Sequence, residues 1–164
     1  MKFTITPLLM LLGVLVVVVS GCAAPRQEDV VAEDFLGAGP VHILSDPSRV
    51  EGWNFQRADG SIMADAPLRP LDVSIGKEVG RILLNDATYR TPAREGAFEH
   101  TVGFRLWRGG ESIDVMLSLG NDQVQIKSMG SAGGQPISQS AGVTAAHDAL
   151  AGVARKAFPE LKVK

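Results

Sequence analysis

Between Glu99 and Met129 apolar and polar residues alternate. Val102, Phe104 and Leu106 take turns with Gly103, Arg105 and Trp107. Ile113, Val115, Leu117 and Leu119 do so with Ser112, Asp114, Met116 and Ser118, and Val124 and Ile126 with Gln123, Gln125 and Lys127. Successive side chains of a strand point to opposite faces, so a period of two predicts three strands with one dry and one wetter face. Gly109-Gly110 supplies the positive φ angles of a tight hairpin, and Gly120-Asn121-Asp122 turns the chain again. The expected unit is an antiparallel three-stranded β-meander.

Two other stretches have a helical period. From Asp72 to Asp86, Ile75, Val79, Ile82 and Leu83 form one stripe, with Ser74 as N-cap. Gly76 and Gly80 weaken that helix by up to about 1 kcal/mol each. Asn85-Asp86 ends it and leaves Tyr89 to pack beside it. From Thr144 to Phe158, Ala146, Leu150, Val153, Ala154, Ala157 and Phe158 share a side, with Thr144 as cap and Pro159 just past the end. The two stripes are natural lids for the dry sheet face, which predicts an α+β fold: a meander packed on one face by two helices.

The remaining segments are shorter. Val41-His42-Ile43-Leu44 reads as a strand and Ser45-Asp46-Pro47-Ser48 as a capped helical turn, with Gly52-Trp53-Asn54-Phe55 as a second short strand. Gln56 to Pro70 reads as loop, with a turn at Asp59-Gly60 and with Pro67 and Pro70 opposing regular structure. Thr91 to Gly96 is a further loop. Ser128 to Gly142, rich in Ser, Gly and Gln, reads as a mobile one.

The N-terminus has a different pattern. Lys2 precedes an uncharged run from Leu8 to Val19 that closes on Val19-Ser20-Gly21-Cys22. A secretory signal has a basic start, an apolar core of roughly 7–15 residues and small residues at the cut. A membrane-spanning helix needs about 20 apolar residues, more than this run offers before Ala24-Pro25-Arg26-Gln27-Glu28-Asp29. Residues 1–21 are therefore expected to be a cleaved signal peptide, 22–39 a short acidic tether carrying Glu28, Asp29, Glu33 and Asp34, and 40–164 a single domain. The formal net charge of −2 becomes one unit more negative when Lys2 leaves with the leader. So mild a balance argues against nucleic acid as a partner and against a polybasic membrane patch.

Val19-Ser20-Gly21-Cys22 resembles the lipobox of bacterial lipoproteins. The resemblance implies that the thiol of Cys22, the chain's single cysteine, receives a diacylglycerol, that the leader is cut before it, and that the new amino terminus is acylated too. Two or more acyl chains give stable attachment where one gives only reversible binding. Cleavage by ordinary signal peptidase near Ala23-Ala24 is the alternative. Lipidation leaves no free thiol for a disulfide or a cysteine metal site, so an exported domain must rely on its apolar core. Ala23, with no Asp after the cysteine, resembles the sorting pattern of proteobacterial lipoproteins bound for the outer membrane, facing the periplasm. In a Gram-positive source it implies the cell surface.

Little in the pattern points to catalysis. His42, His100 and His147 are scattered, no pair has a metal-ligand spacing, and GxxxxGK[ST] is absent. Neither metal nor cofactor is expected. Glu99-His100 with Asp114 and Ser118 form the one imaginable hydrolytic set, although Ser118 lies in mid-strand rather than on a nucleophile elbow. The wetter sheet face is more suggestive. Pairing through Gly109-Gly110 gathers Arg105, Trp107, Asp114 and Met116, and an exposed Trp and Met among charges form a partner-binding patch. The competing reading is that another segment, such as the one carrying Trp53, covers them.

Leu83-Leu84-Asn85-Asp86-Ala87-Thr88-Tyr89, Gly103-Phe104-Arg105-Leu106-Trp107-Arg108-Gly109-Gly110, Ile113-Asp114-Val115-Met116-Leu117 and Ala154-Arg155-Lys156-Ala157-Phe158-Pro159 together resemble a group of small exported bacterial proteins. In that group a Cys-Phe-x-Cys follows the Val-Asp strand. Here Ser118-Leu119-Gly120-Asn121 stands in that place, so no redox or metal role carries over. The expectation is a lipid-anchored envelope protein with a binding or envelope-assembly role toward an envelope partner. The alternative is a periplasmic enzyme with a site near His100.

Overall fold

The computed structural model describes residues 31–58, 61–64, 68–128 and 137–161. The signal peptide, Cys22, the first part of the tether, the Asp59-Gly60 turn and the middle of the Ser128–Gly142 segment lie outside the described residues. Along the chain run α1 (Ala32–Leu36), α2 (Ala38–Ser45), β1 (Arg49–Ala58), β2 (Ser61–Ala64), β3 (Arg69–Leu71), α3 (Val73–Leu83), a 3-10 turn (Asp86–Tyr89), β4 (Val102–Arg108), β5 (Glu111–Ser118), β6 (Gln123–Ser128), β7 (Ile137–Gly142), a second 3-10 turn (Thr144–Ala146) and α4 (His147–Ala157). The fold is α+β.

The predicted meander is present as β4, β5 and β6, with Phe104 opposite Val115 and Val115 opposite Ile126. It is the centre of a larger antiparallel sheet ordered β2-β1-β4-β5-β6-β7, in which β3 also pairs with β1, on the side that β2 occupies. Gly109 has φ +61° in the first hairpin and Asp122 φ +53° in the second turn. Val102, Phe104, Leu106, Ile113, Val115, Leu117, Val124 and Ile126 line one face and are all 1 % exposed or less. Burying a side chain of that size contributes roughly 1.5–3 kcal/mol, so this face dominates the core.

α3 and α4 cover the dry face as expected, through Ile75, Val79, Ile82 and Leu83 and through Leu150, Val153 and Ala154. The cap of α3 is Asp72 rather than Ser74: the Asp72 carboxylate accepts the Ser74 N–H at 2.8 Å. Thr144 does not cap α4, because its hydroxyl donates to the Pro92 carbonyl at 2.6 Å.

Four segments differ from expectation. Val41–Leu44 is part of helix α2, not a strand, and Ser45 ends that helix where a new helical turn was expected. Four residues are too few for periodicity to tell a strand from a buried helical turn. The tether does not run to residue 39. It turns helical at Ala32, and Ala32 and Leu36, one turn apart, are buried in the core. The Ala32 N–H donates to Asp86 Oδ1 at 2.8 Å, and Phe35 sets its ring 5.2 Å from Tyr89. The domain therefore takes in residues ahead of the expected boundary at 40. The loop expected over Gln56–Pro70 contains β2 and β3, and Pro70 is accommodated because its strand lies at the sheet edge. The end of the Ser128–Gly142 segment is strand β7, paired with β6 along its length.

The two glycines of α3 mark its closest approaches. A methyl group at position 76 would run into Val50 of β1 and Pro47, and one at position 80 into the Leu44 carbonyl of α2. In an open helix, Gly→Ala gains up to about 1 kcal/mol. Gly80→Ala is expected instead to cost about 1–3 kcal/mol in urea denaturation, because it forces α2 away from α3. Gly152→Ala in α4, where a methyl meets nothing within 4 Å, is expected to stabilise by up to about 1 kcal/mol.

Candidate functional site

The alternation that buries one sheet face presents the other as cross-strand rows. One row runs Glu51, Arg105, Asp114, Lys127 and Ser138 across five strands; the next runs Trp53, Gly103, Met116, Gln125 and Ser140. In the first, the Arg105 guanidinium grips Asp114 with Nε to Oδ1 at 2.6 Å and Nη2 to Oδ2 at 2.8 Å. This two-point bond holds Arg105 charged above its ordinary range, against a smaller opposing effect of partial burial. Arg49 places its guanidinium 4.1 Å from the centre of the Trp107 ring, and the Trp107 indole N–H donates to Glu51 at 3.4 Å.

The four residues expected to form the patch are thus on one face, but not on equal terms. Arg105, Trp107 and Asp114 are half-buried. Met116, expected to be exposed, is 6 % exposed and offers no surface; Trp53 in its row is also 6 % exposed. Gly103 between them is the physical reason. With no side chain there, the Trp53 indole lies across the sheet where a Cβ would stand, which thickens the face and closes it over its own middle row. Trp53 and Met116 form a small apolar patch outside the main core cluster. The segment carrying Trp53 therefore does cover part of the face.

His100 borders the same face. Its ring stacks on Phe55 (centroids 4.7 Å apart, 27° between planes) and meets the edge of Phe98 at 4.9 Å. Its Nδ1 is buried with no hydrogen-bond partner among the described residues. The companions needed for hydrolysis are engaged elsewhere: Ser118 Oγ accepts the Glu99 N–H at 3.0 Å, and Asp114 is held by Arg105. Geometry alone therefore does not assemble a site at His100.

A constellation the sequence pattern did not signal lies at the turn between β5 and β6. Asp122, 1 % exposed, bonds through Oδ1 to His147 Nδ1 at 2.6 Å, while Arg94 Nε lies 2.7 Å from Oδ2 as an ion pair whose angle falls short of a hydrogen bond. The Val143 N–H donates to the Asp122 carbonyl, and the Arg94 N–H to that of Asn121. Asn121 also donates through its side-chain amide to Ala97. A buried carboxylate here ties three chain segments together. It fixes the imidazole by one nitrogen, as an orienting carboxylate does in a catalytic dyad, yet no hydroxyl or thiol among the described residues bonds to that imidazole. Among the described residues no group of three or more His, Cys, Asp and Glu could hold a metal ion. The separation of 25 positions from Asp122 to His147 hides the pair from any local motif; the one sequence signal is an Asp in a turn that calls for positive φ.

The architecture thus defines a two-layer α+β protein in which no helix among the described residues covers the second sheet face. No family model matches the chain, and no curated protein or solved structure matches it either.

Burial, and to a lesser degree Lys127, disfavours the imidazolium of His100 and lowers its pKa from 6.5. The unfolded chain then binds the extra proton first. The stability involved is fully present above about pH 6.5 and is lost as pH falls toward the folded-state value. Thermal midpoints measured from pH 7.5 down to 5 should fall less steeply for His100→Phe than for the unaltered protein. Identical slopes would mean that His100 titrates alike in both states.

Proposed function

We propose that this chain is an exported bacterial lipoprotein, anchored through an acylated Cys22, whose domain serves as a non-catalytic binding or envelope-assembly module. The observation that carries the anchoring is the placement of the chain's single cysteine directly after an apolar run and the small pair Ser20-Gly21. Anchoring also fits the domain's nearness to that cysteine, since the core already takes in Ala32. With Ala23 next to the cysteine, the destination in a Gram-negative cell is the outer membrane, facing the periplasm. The binding reading draws on the open face, where Arg105, Trp107 and Asp114 stand together half-buried. The partner it fits is an envelope protein.

Intact-mass analysis of the protein from its bacterial host should show a chain beginning at Cys22 and carrying acyl chains, and it should fractionate with membranes. Cys22→Ser should retain the leader and lose the acyl mass. A bare sulfur or an uncut leader on the unaltered protein would refute the anchoring. For the open face, a photo-reactive residue at Trp107 should give a discrete adduct with an envelope protein, whereas one at Arg155 on α4 should not. The same adducts from both positions would remove the face from consideration.

A further inference from the structure

The two edges of the sheet are built differently. One is divided between β2 and β3, of four and three residues, and carries Arg69 and Pro70. Short strands, charge and proline are the devices by which an edge resists pairing with another chain. The other edge, β7, is six residues long and reads Ile-Ser-Gln-Ser-Ala-Gly, with neither charge nor proline. The Val143 N–H donates to the Asp122 carbonyl at 2.7 Å, which fixes the alternation of the β6–β7 ladder. Val143, Ala141 and Gln139 turn their backbone groups toward β6, while Ser138, Ser140 and Gly142 turn theirs outward. The Pro92-Ala93 segment crosses the sheet at Gly142. At Ser138 and Ser140 no described residue outside β6 bonds to the backbone, and both are exposed.

We infer that β7 is a self-pairing edge, joining two copies of this chain in an antiparallel, two-fold dimer centred on Gln139. The register follows from parity. A two-fold axis at Gln139 sets Ser138 of one copy opposite Ser140 of the other, and the outward N–H and C=O of both residues are then all matched, giving four hydrogen bonds. A shift of one residue would oppose inward-turned groups and give none. With no charged residue in β7, identical strands meet without repulsion. The blunted β2/β3 edge stops growth at two copies, so the assembly closes instead of running into a fibre. Edge pairing of this length is modest in area, so the dimer is expected in the micromolar range or weaker. The inference needs no acyl group on Cys22.

The test is the mass of the full-length protein in detergent, by sedimentation or light scattering with the detergent subtracted, over a thousandfold range of concentration. The unaltered chain should pass from one copy to two. Ser140→Pro removes an N–H that β6 does not use and should raise the dimer dissociation constant at least about tenfold, with an unchanged circular dichroism spectrum. Gln139→Lys and Gln139→Glu oppose like charges across the axis and should each be monomeric, while their equimolar mixture should recover the dimer. That recovery keeps the test decisive should the proline variant misfold. A chain that stays single at every concentration overturns the inference, including where a synthetic extended peptide of unrelated sequence binds the edge instead. So does a dimer that persists in both charge variants.

Discussion

Everything in this domain is fitted around the thinness of helix α3. Its glycines leave two bare patches, at position 76 toward Val50 of the sheet and Pro47 and at position 80 toward the Leu44 backbone. A helix costs stability at each glycine in isolation, by up to about 1 kcal/mol. Here that loss is offset because sheet and second helix both come closer than side chains would allow. α2 can then sit on α3 with Ile43 and Leu44 buried, and α1 follows it into the same core. Arg108 at the end of β4 ties down the same C-terminal turn of α2, donating to the His42 carbonyl at 2.6 Å and to Ser45 Oγ at 2.9 Å. A guanidinium at the last carbonyls of a helix satisfies groups that have no partner within it.

The sheet's two faces show opposite solutions to the same strand chemistry. On the dry face, close packing of aliphatic side chains needs no directionality, and helices supply the second layer. On the open face, directionality does the work: a bidentate ion pair, a guanidinium over an indole and an indole N–H to a carboxylate hold long side chains in fixed positions. Exposed ion pairs contribute little to stability, about 0–1 kcal/mol. Their effect here is to define a surface. The half-buried Arg105–Asp114 pair is a stiff element of that surface, and Trp53, seated over Gly103, gives it a dry floor. The open face therefore has fixed shape as well as charge.

How much of this was legible in the chain depends on how far each element relies on its own residues. The meander could be read because every second residue of β4, β5 and β6 is apolar, and α3 and α4 because their stripes recur over three turns. β7 could not be read. Its Ser, Gln and Gly residues carry no alternation, and the strand exists because β6 offers it a ladder. In α2, Val41, Ile43 and Leu44 suit strand or helix over so short a run, and packing against α3 decides between them. Position on the face could be predicted for Arg105, Trp107, Asp114 and Met116, since register is set by the hairpin turn. Exposure could not, because the burial of Met116 depends on an indole from β1, which is more than sixty residues earlier. The Asp122–His147 bond was hidden for the same reason.

On the proposed anchoring, these features also set how the domain meets a membrane. Eight residues lie between Cys22 and Val31, which limits the span to about 30 Å even if fully extended. The chain enters the domain at α1, whose first residue bonds to Asp86 beside α3 and whose Ala32 and Leu36 lie among the helical layer. Attachment is therefore made on the side of the sheet that α3 and α4 already cover. The face bearing Arg105, Trp107 and Asp114 is the opposite one. A short anchor entering through the helices holds the domain close to lipid without masking that face, and a partner can reach it without displacing α1 from the core.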